Sequence, residues 1–88
     1  MKVNPRYVLR KIGEQGCVLP VGPLPSIQEN RIVMLNETGI FLWENMNREV
    51  SLNELVNLLI KEYDVDYQEA ETDIKEFIKI CETNRLLI

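Results

Sequence analysis

The chain changes its hydrophobic period once. Up to Leu35 the apolar residues fall in short runs, rich in β-branched side chains and punctuated by glycine and proline, which is the spacing of strands and turns. Tyr7 to Ile12 predicts a first strand, Gly13-Glu14-Gln15-Gly16 a turn, and Cys17 to Val21 a second strand that Pro20 pushes to a sheet edge or a strand end. Gly22-Pro23-Leu24-Pro25 predicts an irregular connection, and Arg31 to Leu35 a third strand. In that strand Ile32 and Met34 share one face and Val33 and Leu35 the other. Both faces are apolar, so neither reads as freely solvated.

From Asn36 the period lengthens to about three and a half, and helix-start chemistry appears three times. Asn36 caps a helix from Glu37 to about Met46 that presents Ile40, Trp43 and Met46, with Phe41 on the flank. Ser51-Leu52-Asn53-Glu54 fits a capping box, and its helix runs to about Tyr63 with Leu52, Leu55, Val56, Leu59 and Tyr63 in one stripe. Asp66-Tyr67-Gln68-Glu69 repeats the box with aspartate as cap. It opens a helix to about Glu82 with Tyr67, Ala70, Ile74, Phe77, Ile78 and Cys81 on one side. Leu86-Leu87-Ile88 closes the chain as a short strand. Strands first and helices after them predict an α+β domain, a three-stranded antiparallel sheet followed by three helices that pack one of its faces; folds with strand-and-helix trios of this size include the winged helix-turn-helix.

Length and composition narrow the function. At 88 residues the chain builds one core, so residues 1 to 88 form a single domain. It has no histidine, which removes the usual general base near neutral pH and the usual metal ligand. Ser26 sits in a proline loop and Ser51 is occupied as a cap, so neither has a partner base. There is no Walker loop and no GxGxxG. The expectation is a binding protein, not an enzyme, with no cofactor and no metal. Cys17 and Cys81, each among apolar neighbours, read as buried free thiols. No apolar run suits a signal peptide or a membrane span, and the expected location is cytoplasmic.

The net charge of −4 conceals a gradient. Residues 1 to 35 carry +3, residues 36 to 61 carry −2, and residues 62 to 88 carry −5. A winged-helix shape suggests DNA, with its last helix as reader. Here that helix holds Asp66, Glu69, Glu71, Asp73, Glu76 and Glu82 against Lys75 and Lys79, and such a surface repels phosphate. The carboxylate pairs Asp64/Asp66 and Asp73/Glu76 lack an EF-hand loop and read as a solvated helix face. The third strand is more informative. At a sheet edge it would accept an added strand by β-augmentation; in the centre it would be core, and periodicity leaves both readings open.

The stretch MLNETGIFLW at residues 34 to 43 resembles the PqqD family of pyrroloquinoline quinone biosynthesis and its relatives, the RiPP recognition elements. So do the later SLNELVNLLIKEYDVDYQEAETDIKEFI, the closing LLI and the upstream CVLPVG, so that the likeness covers roughly residues 7 to 88. The resemblance implies a non-catalytic peptide chaperone. Such a protein binds the leader segment of a ribosomally made precursor peptide beside its third strand and third helix, and presents it to a modifying enzyme, often of the radical SAM type. Carried onto this chain, Arg31, Ile32, Val33, Met34 and Leu35 would form the strand edge, and Asp73, Phe77 and Ile80 the groove wall. Val33→Pro would then weaken binding if the Val33 N–H faces the edge. The chain departs from its relatives at Asn84-Arg85, where they commonly carry glycine before the final Leu-Leu. Asparagine suits a left-handed helix end. Two alternatives remain: a winged-helix DNA-binding regulator, and an assembly module whose sheet edge pairs with a second copy to make a homodimer.

Overall fold

The computed structural model describes residues 1–21 and 32–88. The Gly22–Pro25 connection, Ser26 and Arg31 lie outside the described residues. Strands β1 (Tyr7–Ile12), β2 (Gln15–Pro20) and β3 (Val33–Leu35) precede helices α1 (Glu37–Glu44), α2 (Leu52–Tyr63) and α3 (Tyr67–Thr83). The strands form an antiparallel sheet in the order β1-β2-β3, as expected for the α+β arrangement.

The β1–β2 hairpin turns on Gly13-Glu14 alone, and Ile12 pairs with Gln15. Gly13 has φ 63° while Glu14 keeps a negative φ, as in a type II′ turn, where glycine relieves the first central position. Because the turn needs only two residues, β2 begins at Gln15, ahead of the expected Cys17. Pro20 sits at the end of β2, which is itself the central strand. β3 is shorter than the expected Arg31–Leu35 among the described residues, for Ile32 precedes its first paired position.

The three caps hold as local chemistry predicts. The Asn36 side chain accepts from the Gly39 N–H at 2.9 Å. Ser51 and Glu54 form both halves of the capping box, at 3.1 and 3.0 Å. Asp66 accepts from the Glu69 N–H at 2.7 Å and forms the aspartate half alone. α1 stops at Glu44, earlier than expected, with Asn45 as its C-cap. At the end of α3 the left-handed residue is Arg85 (φ 58°), whereas Asn84 is not left-handed (φ −99°). Tyr67, expected on the buried side of α3, is 50% exposed. It opens the helix three residues ahead of Ala70, the first buried position.

Leu42, Trp43, Met46, Leu55, Val56, Leu59, Ala70, Ile74, Phe77 and Cys81 build the helical core, with Val18 and Leu35 entering from the sheet. Gly16 allows α1 to approach the sheet: a Cβ there would lie 2.7 Å from Leu9 Cδ1 and 2.8 Å from Ile40 Cγ1. The closing residues form a single bridge, Leu87 with Val3, in place of a full strand.

Candidate functional site

The sheet has two edges, and they differ. β1 bears Arg10 and Lys11, both exposed, and basic side chains of this kind blunt an edge against further pairing. β3 bears Met34, 55% exposed, and Ile32 just ahead of it is 54% exposed, with no charge between Ile32 and Asn36. Among the described residues β3 pairs with β2 alone and stands at the end of the sheet, the edge reading of the two that periodicity left open.

Register and parity determine which backbone groups this edge presents. The Val21 N–H donates to the Arg6 carbonyl at 2.7 Å, so Val21 points its main-chain groups toward β1. In an antiparallel ladder those directions alternate, which turns Gly16, Val18 and Pro20 toward β3. Gly16 pairs with Leu35 and Val18 with Val33, so Val33 and Leu35 spend their N–H and C=O groups on β2. Met34, opposite Cys17, directs its N–H and C=O outward, and has no backbone partner among the described residues. This corrects the expectation placed on Val33, whose N–H faces inward. The donor that proline would remove from the free edge belongs to Met34.

Beneath that edge lies a groove of about 350 Å³ between β3, the start of α1 and α3. Met34, Leu35, Asn36, Thr38, Gly39 and Leu42 form one side, and Asp73, Glu76, Phe77 and Ile80 the other. One close approach and one helical spacing shape it. A Cβ on Gly39 would stand 3.1 Å from Leu35 Cβ, so a residue without a side chain lets α1 leave β3 tightly. On α3 the spacing 73, 76, 77, 80 puts four side chains on one helix face. Phe77 is buried and joins the groove to the core, whereas Ile80 is 47% exposed.

Of the residues singled out from sequence, Met34, Leu35, Asp73, Phe77 and Ile80 meet at the groove. Ile32 and Val33 adjoin it without lining it, Val33 facing the core, and Arg31 lies outside the described residues. Sequence reasoning paired Glu76 with Asp73 but read the pair as a solvated helix face and left Glu76 out of the groove wall, although it stands three residues from Asp73 and four from Ile80, a helical neighbour of both. It also missed the α1 contribution, Thr38, Gly39 and Leu42, which depends on how α1 folds back along β3.

The groove's charge is one-signed. Asp73 and Glu76 are exposed, and among the described residues no basic side chain lines the groove and neither carboxylate joins an ion pair. Of the two lysines on α3, Lys75 points to Glu71 at 3.7 Å, and neither Lys75 nor Lys79 is among the groove's lining residues. The cysteines offer no chemistry here. Both are buried free thiols, and burial, with Glu82 nearby, pushes the Cys81 thiol up to about 12. Among the described residues no cluster of acidic or cysteine side chains could hold a metal ion, and no helix is long and apolar enough to cross a membrane.

Comparison with known proteins agrees with this fold. A solved structure of TbiB1 in complex with the TbiA(beta) leader peptide shares the fold with a TM-score of 0.77 at 23% identity, over 99% of this chain and 94% of that one. No curated protein matches the chain. The family model for coenzyme PQQ synthesis protein D matches residues 23–87, which includes β3 and all three helices. The chain belongs to the PqqD family.

Proposed function

We propose that this protein is a non-catalytic peptide chaperone. It binds the leader segment of a ribosomally synthesised precursor peptide as an added strand on β3, and presents the peptide to a modifying enzyme of the radical SAM type. The observation that carries this reading is the pairing of an open edge with a groove. Met34 turns a donor and an acceptor outward, and the apolar side chains of Phe77 and Ile80 stand beside it. Main-chain bonds of this kind supply affinity for any extended segment, and the groove supplies selection among side chains. The fold shared with TbiB1, which is solved with a leader peptide bound, supports the same reading.

Ile32, Val33, Met34 and Leu35 form the strand edge in this proposal, continued by Arg31, and Asp73, Phe77 and Ile80 form the wall. The acidic surface of α3 works against the DNA-binding alternative, because phosphate neutralisation supplies most nucleic-acid affinity. An amide-resolved NMR titration tests the reading, using synthetic leader peptides from the reading frames adjacent to this one. Saturable shifts centred on residues 32 to 35 and 73 to 80 are expected. Shifts centred on the β1 edge, or a salt-sensitive gel shift with duplex DNA in their place, would overturn it. Sedimentation over a range of concentrations separates peptide capture from self-pairing: the chaperone stays monomeric when peptide-free, whereas a self-paired edge gives a dimer.

A further inference from the structure

The proposed peptide site has an acidic end and an apolar end, and their separation defines a recognition pattern. Asp73 and Glu76 occupy the earlier half of the groove-facing stretch of α3, and Phe77 and Ile80 the later half. The midpoints of the two pairs lie four residues apart along the helix, about 6 Å at the usual rise. Alternate side chains of an extended peptide are spaced by about 6.6 Å. A strand laid along α3 can therefore set one side chain at each end with a single intervening residue, which points to the opposite face of the sheet.

Among the described residues the two carboxylates have no cationic partner and no cation lines the groove. Their charge is available to a ligand. Resting on the leader-binding reading above, we infer that the groove selects extended peptides with a lysine or arginine two residues from a large aliphatic or aromatic residue. The cation meets Asp73 and Glu76, and the apolar side chain sits on Phe77 and Ile80. The intervening residue stands beside Met34 on the outer sheet face, where its main chain exchanges hydrogen bonds with that residue.

Fluorescence anisotropy with labelled synthetic peptides tests this. A Lys-Thr-Leu-Thr repeat places lysine and leucine on one face of the strand in every register. Versions with Gln or Glu in place of lysine vary the charge, and an isomer with lysine moved one position keeps the charge but puts it on the other face. That isomer matters because the protein's net charge of −4 attracts any cationic peptide from a distance. The lysine repeat should bind about threefold to tenfold more tightly than the Gln version and than its own isomer, the range for one or two exposed ion pairs. The Glu version should bind most weakly. The Asp73→Asn/Glu76→Gln double variant should abolish the preference, and Asp73→Lys/Glu76→Lys should reverse it toward the Glu peptide. Equal binding of all four peptides, still lost in Met34→Pro, would overturn the charge pattern and leave the groove standing. Binding by none of them, with no NMR shift at Met34, would remove the groove and this inference together.

Discussion

Replacing Met34 by proline removes the donor that parity turns outward within β3. Proline is tolerated on an edge strand when its missing N–H would face solvent, so the substitution should leave the fold intact. In the complex it removes the hydrogen bond from Met34 and leaves a peptide carbonyl without its partner. The lost bond costs about 0.5–1.5 kcal/mol and an unpaired, buried acceptor about 1–3 kcal/mol. The larger figure already includes the lost bond, so a loss of about 1–3 kcal/mol is expected, a dissociation constant raised about 5-fold to 150-fold. Met34→Ala is the control, because it keeps the N–H and removes only a side chain already 55% exposed. Val33→Pro is the converse, since its N–H pairs with Val18 on β2. Losing that ladder bond and orphaning the Val18 carbonyl should lower the melting temperature by roughly 5–20 °C at the usual scaling for a domain of this size. Isothermal titration calorimetry and thermal melts on the three variants suffice. Full peptide affinity in Met34→Pro, or a Val33→Pro variant that melts normally and no longer binds, would refute the assignment of edge groups.

Three further predictions concern the scaffold. Gly16→Ala forces a methyl group within 2.7 Å of Leu9 and 2.8 Å of Ile40, so chemical denaturation should show a loss of about 1–3 kcal/mol, and an unchanged midpoint would mean α1 shifts freely. Arg85→Gly relieves a left-handed conformation that costs a side chain about 1 kcal/mol, so its midpoint should rise by a comparable amount; a fall would show that the Arg85 side chain stabilises the end of α3. Cys81 titrates at about 12 in the folded protein and near 8.5 in the unfolded chain, so the unfolded state ionises first as pH rises. Its contribution is complete below about pH 8.5 and is lost progressively toward pH 12. The stability gap to Cys81→Ala, followed by urea denaturation, should therefore narrow over that range, and a constant gap would contradict the burial of the thiol.

Features that depend on a few adjacent residues were legible in the sequence. Asn36, Ser51 and Asp66 cap their helices because the acceptor and the N–H groups it satisfies lie within three residues. The stripes of α2 and α3 emerged because helices of 12 and 17 residues give the 3.6-residue period room to repeat. α1 has eight residues and packs on more than one side, so Leu42 escaped a pattern built on Ile40, Trp43 and Met46. The position of β3 was not legible, because apolar residues on both faces suit a central strand and an uncovered edge equally. That distinction depends on pairings between residues far apart in sequence. For the same reason the choice between Val33 and Met34 waited for the register with β2. The groove was half legible: α3 spacing brings Asp73, Phe77 and Ile80 together, while Thr38 and Gly39 join through the path of α1.

The central claim is that a leader peptide adds as a strand to β3, and amide hydrogen exchange at Met34 tests it most directly. In the free protein the Met34 amide faces the open edge and should exchange rapidly, while the Val33 and Leu35 amides are protected by β2. Saturating peptide should slow exchange at Met34 markedly and leave Val33 and Leu35 nearly unchanged. A peptide that binds while Met34 continues to exchange at its free rate, or that protects the outward amides of β1 at Leu9 and Lys11, would contradict the account.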